Sequence, residues 1–248
     1  MLGWYKIINM ESMTIILISA IAFLLVIMAI GLSVANFSGA AMYDTYMDYS
    51  KQRTKAGMRG IDFAMAVNHE HFNDRLKISI IKEFMQDHYQ IGTMGVAISE
   101  GNASSESVAA VTVVAHELGH AMQDYKTKGR FKRFLFLGKL GRAVGFLMFP
   151  ALIAGIVLMF FEAYSSYGII ALGVAAGLFL FSLFLKIYII TIEKEASKIG
   201  LKFLEPALTD DELRAAKKLL KAAKLTYWGE FFGVLLSWTF LTKKTKYF

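Results

Sequence analysis

The stretch "VVAHELGHAMQD", residues 113–124, places two histidines four positions apart, with a glutamate directly after the first. Residues four apart lie on one face of a helix, so the imidazoles of His116 and His120 can bind one metal ion. Glu117 lies one step further around that helix, where its carboxylate can reach a water on the metal. Zinc lowers the pKa of such a water and polarises a scissile carbonyl, while the glutamate accepts the proton. The pattern therefore predicts a zinc peptidase built around one helix.

The residues around this motif predict the extent of the helix, roughly 106–124. The preceding "GNASSES" contains serines that can cap the first backbone N–H groups. The apolar lead-in "SVAAVTVVA" predicts that the helix is buried in a core. Gly119, between the two histidines, leaves room for a close neighbour.

The composition favours a membrane protein and restricts the possible metal ligands. Of the 248 residues, 56% are hydrophobic and 19% are charged, which is more apolar than an ordinary soluble domain. The chain has no cysteine, so disulfides and thiolate ligands are excluded and a metal must be held by His, Asp or Glu. The net charge of +7 comes from basic residues that flank apolar segments. This placement indicates contact with a lipid bilayer and no nucleic-acid partner.

Three apolar runs predict about three transmembrane helices. Met13–Ala35 contains no charge and is too long for a cleaved signal peptide. Val144–Phe161 contains Pro150, and Gly168–Ile192 is interrupted only by Lys186 near its end. The short connection between the last two runs predicts a transmembrane hairpin.

The remaining segments predict the rest of a mainly α membrane protein with a small β-sheet. The first helix is expected to continue to near Gly57, and "RLKISI" (75–80) and "TMGVAIS" (93–99) alternate as strands do. After the hairpin, residues 193–204 predict an amphipathic helix and "TDDEL" starts another. Residues 227–241 are about fifteen in number, too few for an ordinary span, and predict an interfacial or partly inserted helix. The expected organisation is a membrane helix (1–35), a first catalytic part (36–143), the hairpin (144–192) and a second catalytic part (193–248).

Basic residues predict which side of the membrane carries the site. Those near residues 51–59, 126–142 and 194–202 all belong to segments that three crossings place on one side, and the hairpin tip has none. By the positive-inside rule these segments are cytoplasmic. We therefore expect a multi-pass protein of the cell membrane with a cytoplasmic site.

A catalytic zinc site needs a third protein ligand, and the residues alone leave several candidates. His69 and His71 lie near a predicted helix end and are ordinary surface residues on that reading. His88 lies beside the predicted strands. Glu193 and Glu195 lie where the hairpin leaves the membrane, where a carboxylate is either a ligand or a solvated interfacial charge.

The combination of "DHY" (87–89), "SVAAVTVVAHELGHAMQD" (107–124), "EKEASKIGLKFL" (193–204) and "AAKLTY" (222–227) resembles the YugP-type membrane zinc metallopeptidases from about Tyr43 onward. These in turn resemble the HtpX-like peptidases and the CAAX prenyl proteases. The resemblance implies a gluzincin-like α+β catalytic domain, in which a glutamate on a later helix completes the zinc site. Matched residue by residue, that ligand is Glu193, with Glu195 as the alternative. Ser197 stands where the HtpX-like enzymes have an aspartate that orients a zinc-bound histidine.

The resemblance also implies roles for two further residues. "DHYQIGTMGVAIS" would form an edge strand and its neighbour above one catalytic zinc ion, so that an extended polypeptide substrate could add to the edge. His88 would then contact substrate or the oxyanion, and Tyr227 could donate to the oxyanion. An interfacial aromatic is the other reading of Tyr227.

Two readings compete with a membrane-bound endopeptidase that cleaves unfolded or membrane-associated polypeptides. An intramembrane protease of the site-2 type would take its third ligand from an LDG motif, which the chain lacks. A catalytically silent zinc-binding scaffold or regulator has no need of Glu117. Glu117 therefore favours the enzyme. The sequence makes no prediction about oligomeric state.

Overall fold

The computed structural model describes residues 2–127 and 130–236 of the chain. The helices are α1 (Leu2–Ser50), α2 (Gly60–Phe72), α3 (Glu100–Ser104), α4 (Val108–Lys126), α5 (Arg130–Met159), α6 (Ser165–Leu204) and α7 (Asp210–Leu236). The strands are β1 (Lys77–Ile81), β2 (His88–Gln90) and β3 (Gly95–Ser99), and a 3-10 turn, Glu162–Tyr164, joins α5 to α6. The described part of the chain is mainly helical with one small sheet, as the sequence predicts.

The helix α4 forms the centre of the core. Val111, Val114 and Leu118 are at most 1% exposed, and α4 contacts the sheet, α2 and α6. The Ser107 side chain caps the helix by accepting a hydrogen bond from the backbone N–H of Ala110 at 3.2 Å. The buried, serine-capped helix that the sequence predicts is confirmed.

The sheet is mixed and has the order β1-β3-β2. β3 is buried along its whole length, lies parallel to β1 and lies antiparallel to β2. The two strands predicted from alternation are therefore present, and β2 is a third, short strand at one edge. Ile80 of β1 is 58% exposed, so the alternating pattern there does not mark a fully buried face.

The end of α1 differs from the sequence-based expectation. The helix was expected to reach Gly57, and this is wrong because α1 ends at Ser50. Arg53 forms an isolated β-bridge with Ser107, and the backbone N–H of Thr54 donates to the carbonyl of Glu106 at 2.9 Å. The chain has to leave the helix in order to make these extended contacts with the loop before α4.

The helices α5 and α6 pack against each other as the predicted hairpin. By length and composition, Phe136–Met159 and Glu162–Leu204 are two helices that could cross a membrane. Their outer surfaces carry large exposed apolar side chains, among them Phe146, Ile170 and Phe184. Pro150 lies inside α5 without ending it. The third predicted span is helical and forms part of α1.

The last described helix, α7, packs along α1. A Cβ on Gly229 would lie 2.8 Å from Cα of Ala35, so this glycine permits the close crossing of the two helices. The helix predicted over 227–241 begins within α7, and its residues 237–241 lie outside the described residues. The expected segment boundaries at 35, 143 and 192 all fall inside continuous helices.

Candidate metal centre

Two glycines bring the histidine helix against the helix that carries the candidate third ligand. A Cβ on Gly119 of α4 would lie 2.2 Å from the backbone oxygen of Ala196, and a Cβ on Gly200 of α6 would lie 2.6 Å from that of Ala115. Real Cβ atoms do not tolerate such distances, so the backbones of α4 and α6 touch only because both positions are glycine. The room for a close neighbour predicted at Gly119 is confirmed.

This crossing brings His116, His120 and Glu193 together. The two Nε2 atoms lie 3.3 Å and 3.2 Å, respectively, from the same Oε2 of Glu193. One donor atom from each residue lies within 4.8 Å of the others, and His120 and Glu193 are buried. In a tetrahedral zinc site with bonds of about 2.0–2.1 Å, neighbouring ligand atoms are about 3.3 Å apart. The two imidazoles and the carboxylate therefore fit a zinc ion in both chemistry and spacing.

The other ring nitrogen of each histidine has a polar partner on or near the same two helices. Nδ1 of His116 lies 3.2 Å from the Ser197 hydroxyl, and Nδ1 of His120 lies 3.1 Å from Oε1 of Gln123. Such partners fix the orientation of a ligating imidazole. Ser197 thus occupies the place that the sequence comparison assigned to an orienting group.

Glu117 lies between the metal cluster and the edge of the sheet. Its Oε2 accepts a hydrogen bond from the backbone N–H of Tyr89 in β2 at 2.9 Å. Burial raises the pKa of Glu117, Glu193 and Asp87 add to the rise, and the two histidines oppose it. A carboxylate with a raised pKa is a stronger base, which is what proton abstraction from water requires.

The strand β2 is held beside Glu117 by two anchors. The Tyr89 hydroxyl donates to Oδ2 of Asp124 at 2.8 Å, which ties β2 to the end of α4. Asp87 accepts hydrogen bonds from the backbone N–H of Ser99 at 2.8 Å and from the Asn102 amide at 2.7 Å. The short strand is therefore fixed on both sides of His88.

The proton affinity of His120 reflects its buried partners. Burial alone would lower the pKa of His120, but the charge of Glu193 and hydrogen bonds to Glu193 and Gln123, with Glu117 nearby, raise it to about 9. In the metal-free protein a proton therefore competes strongly for this imidazole. Because a metal needs neutral histidine, metal affinity is expected to rise with pH.

The remaining candidates lie at different distances from the cluster. The Tyr227 hydroxyl donates to Oε2 of Glu193 at 2.7 Å, so α7 brings this side chain to the cluster. The Glu195 carboxylate accepts from the Gln123 amide at 3.1 Å and is not among the three converging groups.

The candidate histidines outside the motif are not among the three converging groups either. His88 lies one residue before Tyr89, with its Nδ1 2.8 Å from the carbonyl oxygen of Gln86. His69 lies at the exposed end of α2, and its Nδ1 is 2.9 Å from Oδ2 of Asp74.

Gln123 and the backbone N–H of Tyr89 are site groups that the sequence reasoning did not find. Gln123 lies three residues after His120, a spacing that places the two side chains on one helix face, so its position carried a usable signal. The contact of Tyr89 with Glu117 depends on how β2 docks against α4. No local pattern encodes that docking.

Comparison with known proteins places the chain among metallopeptidases. A family model described as "Putative neutral zinc metallopeptidase" matches residues 20–242. The chain is 27% identical over 208 residues to "Putative membrane protease YugP" of Bacillus subtilis (strain 168), and the match covers 82% of this chain and 87% of that protein. No solved structure matches the chain. The resemblance to the YugP-type proteins is thereby confirmed.

Proposed function

The chain belongs to the neutral zinc metallopeptidase family, and on that premise we propose that it is a membrane-bound, gluzincin-type zinc endopeptidase. The observation that carries the proposal is the convergence of His116, His120 and Glu193 on one point, next to Glu117. A structural site has no use for a buried base beside the ligands. The scaffold reading leaves the position of Glu117 unexplained.

In this proposal His116, His120 and Glu193 would hold one zinc ion. When bound, zinc supplies a Lewis acid that polarises the scissile carbonyl and acidifies water. Glu117 accepts a proton from the attacking water as the oxygen–carbon bond forms. It then delivers that proton to the amine nitrogen as the carbon–nitrogen bond breaks. The hydrogen bond from the Tyr89 backbone N–H holds the Glu117 carboxylate in position for both transfers.

The edge of the sheet supports a proposed substrate class. β2 is an edge strand with Glu117 at its side. We propose that an extended polypeptide binds along this edge through main-chain hydrogen bonds to groups other than the Tyr89 N–H, which Glu117 occupies. Such binding favours unfolded or membrane-associated chains with little demand on their side chains. His88, within β2, would contact that substrate.

Loss of the metal is expected to abolish this activity. The zinc-loaded, detergent-solubilised protein should cleave casein, an unfolded protein, because its chain can extend along β2. Chelation should stop cleavage and added zinc should restore it, since the carbonyl is not polarised without the metal. Peptide release measured over time provides the test. Cleavage that survives complete removal of zinc contradicts the proposal.

The same proposal places the protein in the cell membrane, with α5, α6 and part of α1 as the spans and the site on the cytoplasmic side. The large exposed apolar side chains of α5 and α6 support the membrane location, since a soluble surface rarely carries so many, and the basic residues that flank the spans but are absent from the hairpin tip support the cytoplasmic side. The cysteine-free chain permits a direct test with two matched variants. On intact cells an impermeant thiol reagent should label Ser166→Cys, at the hairpin tip, and spare Ser104→Cys. The reverse pattern would invert the topology.

Tyr227 is proposed to donate a hydrogen bond to the oxyanion of the reaction. Its hydroxyl already lies at the cluster, 2.7 Å from Glu193. Tyr227→Phe, compared with the wild type in the fully zinc-loaded form because the Tyr227 hydroxyl also donates to Glu193, should lower kcat by about 10²–10³-fold, the usual cost of one lost oxyanion donor, while KM changes little. Casein kinetics and metal analysis would measure this. Unchanged turnover would remove Tyr227 from the mechanism.

His88→Ala tests the proposed contact between His88 and the substrate. This variant should raise KM in the same casein assay, and an unchanged KM would contradict the contact.

A further inference from the structure

The side chain of Gln123 is buried between α4 and α6 and uses both ends of its amide. Its Oε1 lies 3.1 Å from Nδ1 of His120. Its Nε2 lies 3.0 Å from the carbonyl oxygen of Ile192 and 3.1 Å from Oε2 of Glu195. Gln123 is 3% exposed, so water does not substitute for these partners.

The partners of the amide nitrogen fix the direction of the amide. A backbone carbonyl and a carboxylate oxygen are acceptors, so each needs one of the two N–H groups of Gln123. A flipped amide would turn its oxygen toward both acceptor oxygens and would lose both hydrogen bonds that Gln123 donates to α6. The oxygen of Gln123 therefore has to face His120.

An oxygen facing Nδ1 fixes the tautomer of His120. The amide oxygen can only accept, so Nδ1 of His120 carries a proton and donates it. In the neutral ring the lone pair then lies on Nε2, which is the nitrogen 3.2 Å from Glu193. Once the Nε2 proton has left, the imidazole is therefore oriented to bind a metal through Nε2.

We propose that Gln123 is a positioning residue that holds His120 in its metal-binding tautomer, with its own amide locked by Ile192 and Glu195. Glu195 acts through Gln123 and is not a ligand. This inference rests on the metal centre of the proposed function, but it concerns metal affinity and not peptide cleavage. It also distinguishes the two histidines, since the hydroxyl of Ser197 beside His116 can donate or accept and fixes no tautomer by itself.

The test compares two side chains of similar length at position 123 that differ in their acceptor. Both variants are made in a Glu195→Gln background. The side chain at position 123 then faces an amide, which can donate or accept a hydrogen bond, instead of the Glu195 carboxylate. In Gln123→Met the acceptor is lost, and zinc affinity should fall by about 10–100-fold relative to Glu195→Gln alone. In Gln123→Glu the acceptor toward Nδ1 of His120 remains although the donor to the Ile192 carbonyl is lost, so affinity should fall by less than about 10-fold. Competition with a chromophoric zinc chelator gives the affinities.

Three outcomes would overturn the proposal. They are a Gln123→Met protein that binds zinc as well as its background, equal losses in Gln123→Met and Gln123→Glu, or a Glu195→Gln protein that loses zinc as a ligand variant would. If the methionine variant does not fold, Gln123→Asn replaces it, because it keeps the amide but withdraws it by one methylene and should also weaken zinc binding. The absorption spectrum of the Co²⁺-substituted protein provides a second measure, since it reports the ligand geometry directly.

The zinc-affinity test of Gln123 can succeed or fail independently of the proposed peptidase activity. A wild-type protein that binds zinc but cleaves no substrate contradicts the proposed activity and leaves the affinity ratios intact. A wild-type peptidase whose affinity is insensitive to Gln123 contradicts only the positioning role.

Discussion

Replacing Glu117 with glutamine should lower casein cleavage by about 10²–10⁴-fold, the range that a positioned general acid–base group contributes. The amide has nearly the shape of the carboxylate but cannot accept a proton from water. Its oxygen can still accept the hydrogen bond that the Tyr89 backbone N–H gives to Glu117. The fold and the strand position should therefore be retained, and the loss should appear in kcat. Zinc content should remain that of the wild type, because Glu117 is not among the three converging groups.

Two measurements make this prediction decisive. Glu205→Gln is the matched control, since it makes the same chemical change at an exposed position just after α6 and should leave activity unchanged. Cleavage of casein by Glu117→Gln at the wild-type rate would indicate a contaminating protease or a different base. A zinc-free Glu117→Gln protein would show that the residue supports metal binding and not proton transfer.

Replacing Glu193 with glutamine should remove zinc and activity together. Oε2 of Glu193 is the atom on which both histidines converge, so the variant exchanges a charged donor for a neutral, weaker one. Groups that only orient a ligand typically change metal affinity by about 10–100-fold, and the loss of zinc affinity in Glu193→Gln should be larger than that. The metal-free protein should also lose stability, because a neutral amide oxygen is a weaker shared acceptor for the histidines and Tyr227 than the buried carboxylate.

The comparison that checks this assignment uses the two neighbouring acids of α6. Zinc titration of Glu193→Gln and Glu195→Gln should show a large loss in the first and a small one in the second. The opposite order would move the third ligand to Glu195. Thermal unfolding of both proteins without metal would show whether either change disrupts the contact between α4 and α6.

The part of the site that one helix carries could be predicted from the sequence. His116 and His120 are four residues apart, so local geometry alone puts them on one face. Gly119 has no side chain and lies between the two histidines, so it predicted a close neighbour on that face. The structure shows the backbone of Ala196 there. Gln123 obeys an equally local rule and could have been found by asking what lies one turn beyond His120.

Groups that reach the site from elsewhere could not be derived in this way. From the residues alone, Glu193 and Glu195 were equal candidates, and the choice came from family resemblance. The structure distinguishes them because α6 is one continuous helix, which turns Glu193 toward the histidines and Glu195 toward Gln123. The docking of Tyr89 beside Glu117 and of Tyr227 beside Glu193 depends on long-range packing, for which the sequence has no periodic signal.

The distance along the chain between the converging residues also determines when, during synthesis, the site can form. His120 and Glu193 are 73 residues apart, and the whole of α5 lies between them. At a synthesis rate of about 5–20 residues per second, the ribosome needs about 4–15 s to pass from one to the other. During that interval the nascent chain carries His116, Glu117 and His120 without Glu193. If the protein has the proposed activity on unfolded chains, its site is thereby kept incomplete until the second helix of its own hairpin has been made.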